Sequence, residues 1–278
     1  MASNDAIRRV ILFLVFTFGL STICYVLVNR NGGIDGGGAL YVMILMWIPG
    51  LVALAINFFF QRNLRGMGWG LGRPVYYVVA YALPLAYGTV AYGATWLLHL
   101  GSVNPAALGD NFWQALAQGL TVGAIPALIL AAGEEIGWQG LLVPQLARVQ
   151  PFVTVAISSG IIWGLWHLPV ILTGGYNSGT PAWFAISCFM ISITGVSFAY
   201  VWLRQASGSV WPAVVLHGMH NQVIQSVFDV ITVDTGNTHY FTTEFGLMLL
   251  IESMFVAVIF WRLSISHAKR MAVMAATA

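Results

Sequence analysis

The stretch VILFLVFTFGLSTICYVLV, residues 10–28, runs for nineteen positions without a charge. The hydrocarbon core of a bilayer is about 30 Å thick and is crossed by roughly 20 apolar residues in a helix, so this stretch is long enough to span one. It is longer than the core of a cleaved leader and no small-x-small site follows it, so it reads as a retained first span introduced by Arg8 and Arg9. Taking the first span as 8–28, seven further apolar segments follow, at roughly 39–61, 75–100, 112–146, 152–173, 182–203, 209–229 and 244–263. The fourth is too long for one straight crossing. It predicts a lateral or re-entrant piece near Phe112–Leu120 followed by the true span. Glycine and proline mark the joints: Gly32-Gly33, Gly36 to Gly38, Gly66 to Pro74, Gly174-Gly175 and Pro181.

Composition agrees with this reading. The 278 residues are 59% hydrophobic and 7% charged, and the mean hydropathy is +0.82, whereas a soluble domain carries about 25% charged residues. Lipid is the solvent for most of the chain. The expected fold class is all-α: a polytopic integral membrane protein of about eight transmembrane helices, one transmembrane domain over 1–278. The expected place is the cell membrane, as a multi-pass protein. No internal repeat is visible. A net charge of +2 says nothing about nucleic acid, and without a basic run none is expected as a partner; membrane lipid is the partner that the composition implies. Cys24 and Cys188 both lie in apolar segments and read as small buried hydrophobes, not as a disulfide or a metal pair.

Basic residues set the orientation. With the N-terminus inside, ten of the eleven fall on one side: Arg8, Arg9, Arg62, Arg65, Arg73, Arg148, Arg204, Arg262, Lys269 and Arg270. The other side holds only Arg30, together with Asp35, Asp110, Asp234 and Glu244, with Asp229 at a boundary. Eight spans with both ends in the cytoplasm satisfy this pattern, and an odd number breaks it. Trp47, Trp69, Trp96, Trp113, Trp183, Trp211 and Trp261 fall near proposed span ends, where interfacial anchors belong.

Once the spans are drawn, a few polar residues stand inside them. Glu134 and Glu135 are in the fourth, His167 in the fifth, and His217, His220 and Asn221 in the seventh. A carboxylate at a helix centre costs roughly 2.5–3.5 kcal/mol on insertion scales, and two adjacent ones need a reason. At 1.5 Å rise per residue, Glu134 lies about 21 Å from Arg148, His167 about 22 Å into its span and Asn221 about 18 Å into its own. Acid, imidazole and amide from three helices therefore meet at one level. His217 and Asn221, four apart, share a helix face, and so do Trp163 and His167. Glu134 and Glu135 point about 100° apart, so only one can aim squarely at a common site. Gln139, one turn beyond Glu135, is placed to hydrogen-bond it. His220 lies off the face of His217 and Asn221 and reads as structural; His99, His239 and His267 read as interfacial.

A carboxylate beside a histidine can activate water as a general base, and a second histidine with an amide can stabilise an oxyanion. Together they suit peptide hydrolysis without a covalent intermediate, with no cofactor required. The same side chains, Glu134, His167 and His217, are also a set that zinc or another divalent metal could use. No HExxH occurs, Gly109-Asp110 lacks the first glycine of a GxGD motif, and Ser158-Ser159 lack GxSG spacing. Gly68-Trp-Gly-Leu-Gly72 follows no strand and reads as a flexible turn.

These residues carry a family resemblance. Glu134-Glu135-Ile-Gly-Trp-Gln-Gly140 resembles the EExxxR motif of the CAAX prenyl protease type II and bacteriocin-processing (CPBP) family. Trp163-Gly-Leu-Trp-His167 resembles its FxxxH motif, and His217-Gly-Met-His-Asn221 its HxxxN motif. The match covers about residues 112–230, the expected catalytic core. The resemblance implies intramembrane endoproteolysis in an eight-span helical fold. In it Glu134 activates water, His167 assists, His217 and Asn221 bind the oxyanion and Glu135 supports them. It also implies a peptide or protein substrate, membrane-associated or lipidated. The motif style is that of bacterial members, hence a bacterial inner membrane. Gln139 stands where the family has arginine; an amide cannot neutralise the second carboxylate, which leaves Glu135 able to keep its proton. Two readings of another class use the same polar residues: a non-catalytic membrane scaffold or immunity protein, and a proton-coupled transporter.

Overall fold

The computed structural model describes residues 2–173 and 175–277; Gly174, read above as part of a joint, lies outside them. The chain is all-α. Its long helices are α1 (Ala2–Arg30), α2 (Ala39–Gln61), α3 (Pro74–Leu97), α7 (Phe152–Thr173), α8 (Ala182–Ser207) and α11 (Leu247–Thr277). The fourth expected segment is interrupted as its length required. Helix α4 (Phe112–Leu120) is bent by 48° from the stretch Val122–Leu146. That stretch contains α5 (Ile125–Gly137), a π turn (Trp138–Leu142) and α6 (Val143–Leu146). The seventh, α9 (Trp211–His220), continues through a second π segment (Asn221–Phe228) into α10 (Asp229–Ile231).

Among the described residues, six helices are long and apolar enough to cross a membrane, or seven with the bent pair taken as one span. The segment expected at 209–229 is present but divided by its π turn. The last helix starts at Leu247 and runs to Thr277, well past the expected end at 263. A two-residue antiparallel ladder, β1 (Ser102–Val103) with β2 (Thr232–Val233), joins two connections, with Ser102 opposite Val233 and Val103 opposite Thr232. Cys24 and Cys188 are buried and free, as their surroundings implied. Trp113 and Trp183 are 75% and 72% exposed at helix starts, whereas Trp211 donates from its indole to the Trp69 carbonyl at 3.0 Å and braces a turn.

In lipid the hydrophobic effect does not drive one helix onto another, so close packing and hydrogen bonds must. Small residues supply the close packing around α5. Gly133 and Gly137 face α2 at Trp47 and Pro49: a Cβ on Gly133 would stand 2.7 Å from the Met46 carbonyl oxygen, and one on Gly137 2.5 Å from Pro49 Cβ. On its other side α5 meets Gly218 of α9, where a Cβ would lie 2.9 Å from the Leu128 Cα. Helix α5 is thus held backbone to backbone between α2 and α9. The glycines that permit this stand directly beside Glu134 and Glu135.

Replacement of Gly137 by alanine is expected to force α2 and α5 apart and to destabilise the protein by about 1–3 kcal/mol. Gly93→Ala, at a position with open space around it, serves as the control. Thermal denaturation of the purified chains in detergent checks this, and a Gly137→Ala melt equal to the control contradicts it.

Candidate active site

Glu134 and Glu135 are each 1% exposed and diverge as the helical angle requires. Glu134 turns toward α7. Its Oε2 accepts the indole N–H of Trp163 at 2.8 Å and that of Trp138 at 3.4 Å. Glu135 turns toward α9, where its Oε1 lies 2.9 Å from His217 Nδ1. His217 is itself 5% exposed and has the Trp163 ring beside it, 5.2 Å between centroids.

His167 Nδ1 lies 2.9 Å from the carbonyl oxygen of Trp163, one turn back on α7. A carbonyl can only accept, so Nδ1 carries the proton and Nε2 of the neutral ring presents its lone pair. The rings of Trp166 and Phe189 flank His167 at 4.9 and 5.2 Å and fix its plane. The residue four before the histidine thus has two tasks: its carbonyl sets the tautomer of His167 and its indole orients Glu134.

A cavity of about 240 Å³ opens among these helices, lined by Glu134, His167, His217 and Asn221. Four of the five residues expected from sequence therefore meet at one hollow, and the fifth, Glu135, stands behind His217. The hydrogen bond expected between Gln139 and Glu135 does not form. Glu135 Oε2 and Gln139 Oε1 are both buried without a partner. The reason is local: the π turn begins at Trp138, and its wider i→i+5 spacing takes residue 139 out of line with residue 135. The backbone carbonyl of Gln139 instead accepts Arg204 Nε of α8 at 2.7 Å, and Arg204 also reaches the Gly66 carbonyl at 3.3 Å.

His220, read from the sequence as structural and off the face of His217 and Asn221, has both ring nitrogens engaged yet stands at the cavity. His220 lines the cavity together with Tyr87, Tyr176 and Glu244. Its Nε2 lies 2.7 Å from Glu244 Oε1 and its Nδ1 2.5 Å from the Tyr87 hydroxyl. The π segment starting at Asn221 shifts the helical phase, so His220, Asn221 and Gln225 all face the hollow. The available signal was the cost of one more polar side chain at that depth.

Among the described residues no group of three or more His, Cys, Asp or Glu side chains is placed to hold a metal ion. Glu134, His167 and His217 each use one atom on a neighbour, namely the Trp163 and Trp138 indoles, the Trp163 carbonyl and Glu135, which is also how the outer partners of a metal ligand are arranged.

Residues 111–223 match the family model described as type II CAAX prenyl endopeptidase Rce1-like. The matched segment is similar to that family over about two fifths of the chain. Glu134, Glu135, His167, His217 and Asn221 all fall inside the Rce1-like segment. Among curated proteins, the chain is similar to a CAAX prenyl protease 2 of Methanococcus maripaludis, 24% identical over 117 residues, which are 39% of this chain and 43% of that protein. The match thus spans less than half the length of that relative.

Arg204, 9% exposed, is expected to secure the π turn beneath the two glutamates. Arg204→Met removes the donors to two carbonyls and is expected to cost about 1.5–3 kcal/mol, with Arg204→Lys intermediate because it lacks the planar fork. Chemical denaturation checks this; an unshifted midpoint in Arg204→Met contradicts it.

Proposed function

We propose that this chain is an intramembrane endopeptidase that hydrolyses a peptide bond with a glutamate-activated water. The observation that carries the reading is that Glu134, His167, His217 and Asn221 line the same cavity. Both indoles address Oε2 of Glu134, which leaves Oε1 to a water. His167, with its Nε2 lone pair inward, orients that water. Glu134 takes its proton as the oxygen attacks the carbonyl carbon. The oxyanion that forms accepts from Asn221 and from His217 Nε2–H. Glu134 then passes the proton to the leaving nitrogen as the C–N bond breaks.

For neutral His217 to donate from Nε2, its Nδ1 must accept, which makes Glu135 the donor in that pair, in its acid form. Gln139 suits this assignment, because it places no cation beside Glu135 to favour the charged carboxylate. The substrate is a peptide or protein segment that enters from the cytoplasmic face or sideways between helices. The lining contains Glu134, Glu244 and Glu252 and neither Lys nor Arg. That favours an internal segment of chain over a free C-terminal carboxylate, which would meet like charge. On this reading no metal takes part, and the protein sits in a bacterial inner membrane with eight spans and both termini in the cytoplasm.

Glu134→Gln, isosteric and unable to take a proton, is expected to lower cleavage at least a hundredfold (about 10²–10⁴ for a lost acid–base group) while the protein stays folded. Comparing peptide termini in cells that express either chain at equal membrane levels checks this. Identical termini point to a scaffold or a transporter instead. Cleavage is expected to survive chelators; loss with EDTA and recovery with zinc would transfer the reaction to a metal. For orientation, a green fluorescent protein at the C-terminus is expected to fluoresce and a periplasmic phosphatase there to be inactive. The opposite pair of results overturns the inside placement.

A further inference from the structure

Glu244 enters the cavity from the connection between α10 and α11, beyond the matched Rce1-like segment. Its side chain is only 14% exposed. Oε1 takes His220 Nε2 at 2.7 Å. Oε2 takes the side-chain amide of Gln225 at 3.1 Å and the hydroxyl of Tyr176. One carboxylate thus gathers donors from α9, from the π segment that follows it and from the connection after α7. A side chain held only by electrostatics at a membrane surface would face water; this one faces inward and has both oxygens engaged.

The backbone that presents it is strained. Thr243, immediately before Glu244, has φ +63°, a region that β-branched residues avoid and that persists only where its surroundings hold it. Tyr92 does the holding: its hydroxyl oxygen accepts the Thr243 N–H at 3.0 Å while its proton goes to Asp229. The connection is further braced by Asp234, which accepts the N–H groups of Gly236 and Thr238 at 2.8 and 3.1 Å. Strain built in beside a buried carboxylate in a reactive hollow is the signature of a geometry kept for use.

We propose that Glu244 is a positioning residue that sets the two opposite sides of the reaction centre, Asn221 through His220 and His167 through Tyr176. His220 directly precedes Asn221 at the point where α9 opens into the π segment. With Nε2 on Glu244 and Nδ1 on Tyr87, its ring cannot turn, and that fixes the backbone from which Asn221 reaches the cavity. Tyr176, tied to Glu244, stands 6.2 Å from His167 between ring centroids. It is a third ring beside His167, with those of Trp166 and Phe189. This assignment rests on the endopeptidase reading for its kinetic consequence and on geometry alone for its structural one.

The test uses the full chain in lipid nanodiscs with a quenched-fluorescent peptide library as probe, and compares wild type, Glu134→Gln, Glu244→Ala and Glu244→Gln. Glu244→Ala is expected to lower kcat about tenfold or more with little change in KM, since misplacement by an ångström is enough for such losses. Glu244→Gln, which keeps one acceptor oxygen, is expected to recover part of it. A wild-type kcat in Glu244→Ala, or a fall matched by an equal loss of folded protein, overturns the proposal. If wild type and Glu134→Gln are equally inert, the endopeptidase reading fails, and the geometry is then judged separately on ¹⁵N-histidine resonances. In Glu244→Ala the His167 signal is expected to move together with that of His220. A His167 signal that stays in place while His220 shifts overturns the proposal whatever the cleavage assay gives.

Discussion

Two adjacent carboxylates buried in an apolar bundle set the terms for the rest of this molecule. Glu134 and Glu135 are costly to leave unpartnered at that depth, and because they follow one another on a helix they turn to different neighbours. Each must find its own on a different side of α5. The partners come from α7, with the Trp163 indole, and from α9, with His217. Small residues let α5 pack closely against its neighbours. Gly133 and Gly137 admit α2, and Gly218 lets α9 lie on Leu128. Polar satisfaction and close packing here are one requirement met by the same short stretch of chain.

Helix irregularity marks the site. A π turn follows the glutamates and a second begins at Asn221, and such turns gather at functional positions because they re-aim side chains that a regular helix would turn away. The first one costs a regular pattern of backbone bonding, and Arg204 answers by reaching the Gln139 carbonyl from α8. The second brings three polar side chains to one wall. Between the two walls lies a hollow lined by Glu134, a His167 of fixed tautomer, His217 and Asn221, together with a saturated carboxylate, Glu244. The arrangement divides labour. Groups with a free lone pair or proton face the space where chemistry would occur. Groups with every atom engaged frame it.

Read alone, the sequence established the membrane class, the helical segments, the break in the fourth of them and the identity of Glu134, His167, His217 and Asn221 as a group. It could do so because the cost of a charge in lipid is paid residue by residue, and hydropathy and helical rise are local properties. Tertiary structure alone decided the pairings: that Glu135 serves His217 while Glu134 faces the cavity, that Gln139 is cut off from Glu135, and that His220 belongs to the site. It alone placed Tyr87, Tyr176 and Glu244 in the same hollow, although Glu244 reads as an ordinary acid at a span end. A π turn has no strong sequence signature, and it alters the phase of every residue beyond it; contacts between residues as far apart as Tyr87 and His220 depend on which helices pack together. Those are properties of the assembled bundle, and no periodicity along the chain encodes them.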